Sequence, residues 1–217
     1  MEPAPKPERL CTLPWFNGVY RRIYDVLSAE GMLPGPCDIQ VLPAEALEAV
    51  EKLIEGATVK GSNMVWFKKQ PPDPVVFAHE LIHLIEDKDK ELEEVYAYNL
   101  SPLAVLLAER GITPPANPVR LFNATPSMIL EALNKAYNYS FKDLAEYFEL
   151  IGVTPPFMEA GGGYGEREVA VDAVSELIAG AGRSEPMLNA VLALLETLRE
   201  RAGGGADVKH LNADGER

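Results

Sequence analysis

The segment that most constrains the fold is residues 75–85, with the sequence VVFAHELIHLI. Eight of its eleven residues are apolar. They surround the helix axis instead of forming one stripe, which indicates a buried helix. The segment also carries three polar side chains, His79, Glu80 and His83. Burying each without a partner would cost about 1–3 kcal/mol, so the fold must supply partners for all three.

His79 and His83 are spaced to hold a single metal ion. Residues four apart lie on one face of a helix, one turn above the other, so both imidazoles can direct a ring nitrogen at the same point. Glu80 lies about 100° round the helix from His79, which places it to reach a water beside the ion rather than to be a third ligand. This is the HExxH arrangement of two zinc ligands and a general base. The chain has three histidines, and two of them belong to this motif.

With this motif, and with uncharged residues on both sides of it, the chain resembles the zincin metallopeptidases. The resemblance covers residues 57–110, and zincins place a mixed sheet before the HExxH helix. It implies a zinc metallopeptidase that hydrolyses peptide bonds with a zinc-activated water, with His79 and His83 as zinc ligands and Glu80 as general base. A peptide or protein is then the expected substrate. The alternative is a zincin-like, zinc-binding regulatory or interaction protein without peptidase activity.

Zinc needs a third protein ligand, and the sequence favours a carboxylate. The remaining histidine, His210, lies near the C-terminus, and no GxxH follows His83 as it does in metzincins. A carboxylate makes the chain similar to a gluzincin, in which a glutamate on a later helix completes the site. Glu94 follows His83 across a short charged turn, and with Ala97 it resembles the gluzincin ExxA spacing. Glu93, on an apolar face of the same predicted helix, is an alternative.

A second candidate for the third ligand lies later in the chain. Glu168 and Asp172 resemble the ExxxD spacing of other gluzincins, in which the aspartate supports a ligating histidine. In a chain with 33 acidic residues, such spacings also arise on solvated helix faces. Glu94 is favoured over Glu168 because an antiparallel helical hairpin brings Glu94 opposite His83.

Hydrophobic periodicity predicts an α+β fold dominated by helix, with its strands in the N-terminal third. A strand is predicted at 37–42 and a strand pair at 57–68, with the turn at 61–63. Asp73 is the expected N-cap of the HExxH helix. One zincin-like domain is predicted over residues 1–203, helical from about residue 112, with a mobile tail over 204–217. The predicted helices cover 15–30, 43–54, 74–86, 91–110, 125–137, 141–151, 166–180 and 185–202.

Composition limits the partners that this chain can have. Its 217 residues suffice for one well-packed domain, and its formal net charge of −13 repels nucleic acid and anionic membranes. The N-terminal decapeptide lacks an apolar core and no uncharged run is long enough to span a bilayer, so a cytoplasmic location is expected. Two cysteines, Cys11 and Cys37, are too few for a thiolate metal site, and the sequence leaves their pairing open.

Two further features near the motif bear on substrate binding. Zincins pair an extended peptide substrate with an edge strand just before the catalytic helix, and residues 64–67, MVWF, occupy that place. An ordinary internal strand fits the same residues equally well. Tyr96, Tyr98 and Tyr164 are candidate donors of a hydrogen bond to the reacting oxyanion, and the sequence assigns the role to none of them.

Overall fold

The computed structural model describes residues 6–46, 54–85 and 90–207. The chain divides into two compact units, Met1–Thr113 and Pro114–Arg217. Among the described residues, those of the first unit form the strands, three α-helices and short 3-10 turns, and those of the second unit are helical. The predicted class, predominantly helical with a small sheet near the N-terminus, is therefore confirmed. The prediction of one domain over 1–203 stays a prediction, and the expected start of its helical part, near residue 112, lies at the division between the units.

A mixed four-stranded sheet precedes the HExxH helix, as predicted. Its strands are β1 (Glu8–Arg9), β2 (Gln40–Leu42), β3 (Gly56–Thr58) and β4 (Met64–Phe67), in the order β1-β2-β4-β3. β2 and β4 are parallel, and the two outer pairs are antiparallel. The strand pair predicted at 57–68 is thus confirmed, and its turn is closed by the Ser62 amide, which donates to the Val59 carbonyl at 3.1 Å.

Of the two roles that the sequence leaves open for residues 64–67, edge strand and internal strand, the structure shows the internal one. β4 is paired on both sides, because β2 inserts beside it in parallel and β3 pairs with it antiparallel. The strand at the edge of the described sheet on this side is β3. The predicted helix at 43–54 begins instead as a 3-10 turn, Ala44–Ala46, and its residues 47–53 lie outside the described part of the chain.

The α-helices in the described part of the first unit are α1 (Gly18–Leu27), α2 (Pro74–His83) and α3 (Glu93–Glu109). Asp73 caps α2 as predicted, since its carboxylate accepts a hydrogen bond from the Val75 amide at 2.8 Å and Pro74 begins the first turn. α2 ends at His83, three residues before the predicted end. Residues 86–89, where a turn is predicted, lie outside the described residues.

An aromatic cluster anchors α2 in the core of the first unit. Phe77 is fully buried, and the rings of Trp15, Tyr20 and Phe67 lie 5.8, 5.4 and 5.9 Å from it. Such ring pairs contribute about 0.5–1.5 kcal/mol each beyond the area that they bury. Trp15 lies before α1, which is therefore shorter than the helix predicted over 15–30. The cluster fixes the helix that carries the histidines.

A disulfide joins Cys11 to Cys37, the pairing that the sequence leaves open. The two cysteines are 26 residues apart in sequence. Backbone hydrogen bonds flank the bridge, since the Leu10 amide donates to Ile39 and the Cys11 amide donates to Pro36. The bridge therefore ties the start of the unit to the segment that leads into β2.

The second unit consists of helices joined by short connections. Its first four helices are α4 (Pro126–Tyr137), α5 (Leu144–Ile151), α6 (Pro156–Glu159) and α7 (Glu166–Ala181). The helices predicted at 125–137 and 166–180 are confirmed, whereas α5 begins at Leu144 instead of 141 because Asp143 caps it. Thr125 caps α4 in the same way, by accepting a hydrogen bond from the Met128 amide. α6 and the 3-10 helix Pro118–Asn123 are not predicted by the hydrophobic pattern.

The last helix, α8 (Glu185–Asp207), is longer than predicted. The expected helix ends at 202, and a mobile tail is expected over 204–217 because that segment has almost no apolar residues. The helix instead continues to Asp207, and the mobility of the tail stays a prediction. Residues 208–217 lie outside the described part. Within the described residues, no helix combines the length and apolarity that a bilayer crossing requires.

Candidate metal centre

The two histidines of the motif face each other across one turn of α2. Their Nε2 atoms lie 3.2 Å apart, and their ring centroids are 4.9 Å apart. His79 and His83 expose 20% and 14% of their side chains, so both donors lie at the boundary between core and solvent. The i, i+4 spacing therefore brings both imidazoles to one point, as the sequence predicts.

Glu94 at the start of α3 brings a carboxylate to the same point. Its Oε2 atom lies 3.7 Å from His79 Nε2, and its Oε1 atom lies 3.5 Å from His83 Nε2. The three side chains offer ligand atoms that all lie within 4.8 Å of one another. The two histidine donors are 3.2 Å apart, close to the about 3.4 Å between donors on a tetrahedral metal such as zinc. The two short distances to Glu94 involve different carboxylate oxygens, and the three side chains together form a group that could hold a metal ion.

Glu93, the alternative ligand, faces a different atom of His83. Its Oε1 atom lies 2.9 Å from His83 Nδ1, on the side of the ring away from His79. This contact favours the tautomer that carries its proton on Nδ1, which leaves the Nε2 lone pair for a metal. The geometry therefore supports Glu94 as third ligand and Glu93 as the group that orients His83.

Electrostatics favour the ligand form of His79. Burial lowers the pKa of His79, the neighbouring His83 lowers it further, and Glu94 acts in the opposite direction. Since only a neutral imidazole binds a metal, a lowered pKa keeps His79 available as a ligand at neutral pH.

Glu80 is 5% exposed, and its carboxylate contacts β3. The hydroxyl of Thr58 lies 2.7 Å from Glu80 Oε2 and 3.1 Å from the Glu80 main-chain oxygen. Burial raises the pKa of Glu80; the hydrogen bond from Thr58 and the charge of His83 lower it, and Glu94 raises it. Glu80 is thus a buried carboxylate whose charge interacts with His83 and Glu94.

The second candidate for the third ligand lies on α7 in the second unit. Glu168 and Asp172 interact with each other there, and after burial Glu168 is the second cause of the raised pKa of Asp172. Within the described residues, the group that can hold a metal consists of His79, His83 and Glu94. Glu168 is not in it, and His210 lies outside the described part of the chain.

Two residues at this centre are not assigned by sequence reasoning. Thr58 belongs to no sequence motif, and only the packing of β3 against α2 shows that it reaches Glu80. Of the three candidate tyrosines, Tyr98 lies at the centre, with its ring 5.0 Å from that of His79 and its surface 70% exposed. Tyr96, by contrast, is buried, and Tyr164 belongs to the second unit. The position of Tyr98, one turn after Glu94 on α3, is the signal in the sequence that could have selected it.

No protein-family model, curated protein or solved structure matches the chain. The resemblance to zincins therefore rests on features of the chain itself. These are the HExxH helix, the glutamate that follows it at the start of α3, and the small mixed sheet before it.

Proposed function

We propose that the chain is a zinc metallopeptidase that holds zinc with His79, His83 and Glu94 and uses Glu80 as general base. One observation carries the proposal: the ligand atoms of His79, His83 and Glu94 lie within 4.8 Å of one another, and the buried carboxylate of Glu80 lies on the same helix as the two histidines. Three protein donors leave a fourth position open, which is the feature that distinguishes catalytic from structural zinc sites. A peptide or protein is the proposed substrate.

The chain's own residues divide the work of hydrolysis between them. When bound, zinc would supply a Lewis acid and a water of lowered pKa. Glu80 would accept the proton that a water loses as the water oxygen adds to the carbonyl carbon of the peptide bond. Glu80 would then pass this proton to the amide nitrogen, so that the C–N bond breaks and the products are a carboxylic acid and an amine. Tyr98 lies beside the ligands and is the nearest candidate to donate a hydrogen bond to the oxyanion.

Metal content tests the site directly. Elemental analysis of the purified, tag-free protein should find about one zinc per chain, and His79→Ala with His83→Ala should lose it. Two histidines and one carboxylate also suit non-haem iron, so iron in place of zinc would contradict the proposal. Protein that takes up no zinc after incubation with excess metal would remove the site altogether.

Hydrolysis is tested with a library of peptides from a digested proteome, with new termini identified by mass spectrometry. Glu80→Gln should keep zinc and lose hydrolysis by a factor of about 100 or more, since general-base catalysis contributes about 10²–10⁴. Glu109→Gln, at the far end of α3, is the matched control and should cleave at the parental rate. Full activity in Glu80→Gln would refute the mechanism. A parent that binds zinc and cleaves nothing would support the alternative, a regulatory or interaction protein.

The location of the protein bears on the breadth of its specificity. A cytoplasmic metallopeptidase, as the sequence predicts, would need narrow specificity to spare other proteins, and digestion of unfolded casein at a high rate would argue against that. The disulfide between Cys11 and Cys37 is of a kind that is rare in reducing compartments. Thiol alkylation of the protein in fractionated cells decides between a reducing and an oxidising compartment, since alkylated cysteines would indicate a reducing one.

A further inference from the structure

The strand β3 approaches the HExxH helix at Glu80. The Thr58 hydroxyl has one proton to donate, and the shorter of its two contacts is with the Glu80 carboxylate, at 2.7 Å against 3.1 Å for the main-chain oxygen. A hydrogen bond to a carboxylate is stronger than one to a neutral carbonyl, which agrees with the distances. Thr58 is therefore the side chain that holds the orientation of this carboxylate.

Gly56, two residues earlier on the same face of β3, makes the approach sterically feasible. A Cβ atom at this position would lie 2.9 Å from both Cγ and Oε1 of Glu80, and 3.0 Å from Cγ1 of Val76. Distances below 3.0 Å do not occur between real Cβ atoms and their neighbours, so any larger residue would displace the Glu80 side chain. The absence of a side chain at Gly56 thus leaves the space that the Glu80 side chain occupies beside Thr58.

The strand that carries these two residues is itself fixed. β3 pairs with β4 in a register that sets Ala57 opposite Trp66, and the Val59 amide donates to the Met64 carbonyl at 2.9 Å. Trp66 is almost fully buried, so β4 cannot shift without opening the core. The Thr58 hydroxyl therefore presents a fixed point to which the flexible glutamate side chain is tied.

We propose that Thr58 is a positioning residue for the general base, and that Gly56 provides the space in which Thr58 holds the Glu80 carboxylate. The inference rests on the proposed function for its catalytic consequence but not for its geometry. Proton transfer needs heavy atoms about 2.6–3.2 Å apart, and a misplacement of about 1 Å costs about 100-fold in rate. An untethered glutamate would occupy several rotamers, of which only some satisfy this requirement.

The experiment compares Thr58→Val, which removes the hydroxyl at constant shape, with Thr58→Ser, which keeps it. Thr197→Val is the matched control, because Thr197 is buried in α8 and donates only within that helix, to the Ala193 carbonyl. Zinc content is measured first and should match the parent in all three variants. Crystal structures of the zinc-loaded variants then report the Glu80 conformer, and kinetics on a peptide that the parent cleaves report kcat and KM.

Thr58→Val should spread the Glu80 carboxylate over more than one conformer. Its kcat should fall by about 10–100-fold with KM within twofold, whereas Thr58→Ser should stay within about threefold of the parent. Gly56→Ala should also displace Glu80, by contact instead of by loss of a hydrogen bond. A single parental Glu80 conformer in Thr58→Val overturns the proposal, whether or not any peptide is cleaved. If Glu80→Gln is inactive and Thr58→Val keeps full kcat, the positioning role fails while the proposed function stands.

Discussion

Glu93 and Glu94 are neighbours in sequence, yet they face different nitrogens of His83, and this difference predicts different effects on zinc affinity. Glu93 holds Nδ1 at 2.9 Å, and Glu94 lies 3.5 Å from Nε2. Replacing Glu93 by Ala removes a charge-assisted hydrogen bond worth about 1.5–3 kcal/mol, which corresponds to about a 10–150-fold weaker zinc affinity. Loss of such an outer partner of a ligating histidine costs about 10–100-fold in known metal sites.

Conservative and truncating substitutions of these glutamates should weaken zinc affinity in a defined order. Glu93→Gln keeps an acceptor oxygen for the Nδ1 proton, and a neutral acceptor retains about half of the bond, so we expect a loss near tenfold. Glu93→Ala should lose closer to 100-fold. Glu94→Gln should lose more than either, because it replaces one of three donors and removes the negative charge that faces both Nε2 atoms.

The assay is competition for zinc against a chromophoric chelator at pH 7.5, with circular dichroism to show that each variant is folded. Glu91→Gln, on the 3-10 turn before α3, serves as the control for a change of charge near the site. If Glu93→Gln loses more affinity than Glu94→Gln, then Glu93 is the zinc ligand and the assignment made from the distances is reversed. Affinities within twofold of the parent for every variant would mean that neither glutamate belongs to the site.

Two further predictions concern stability. Reduction of the Cys11–Cys37 bridge, or its replacement by two serines, should lower the free energy of unfolding by about 3.5 kcal/mol, from the loop entropy of a 26-residue separation; an unchanged urea midpoint in reducing buffer would contradict this. Burial, followed by the nearby Glu168, raises the pKa of Asp172 above its ordinary value of 3.8. At a pH between the ordinary and the raised pKa, the folded chain therefore binds more protons than the unfolded chain, and the stability falls as the pH rises through this range. Asp172→Asn removes this loss, and its Tm should exceed that of the parent at pH 7 by a margin that narrows towards pH 4; a margin independent of pH would show that charge is not the cause.

The parts of the site that the sequence predicts are those set by local geometry. His79 and His83 converge because the helix repeat alone fixes residues four apart, and Asp73 with Pro74 marks the start of that helix for local steric and hydrogen-bonding reasons. The helical hairpin also follows from the short connection between two apolar segments. None of these features depends on contacts with distant parts of the chain.

The parts that the sequence does not settle depend on the rotation of a helix about its axis and on which strands pair. Adjacent residues on a helix point about 100° apart, so the choice between Glu93 and Glu94 turns on the rotation of α3, which no local pattern fixes. The position of β4 inside the sheet depends on the parallel insertion of β2, which comes from much earlier in the chain. Thr58 meets Glu80 across 22 residues of sequence, and only the packing of β3 on α2 brings them together.

The three proposed ligands differ widely in contact with solvent, and this gradient indicates a route of metal exchange. The Glu94 side chain is 65% exposed, whereas those of the histidines are 20% and 14% exposed. Rotation of an exposed side chain takes picoseconds to nanoseconds, so an ion could reach or leave the two imidazoles past Glu94 without any opening of the core. Such a centre could therefore gain or lose its metal in the folded protein, so that its occupancy would depend on the free zinc concentration after folding as well as during it.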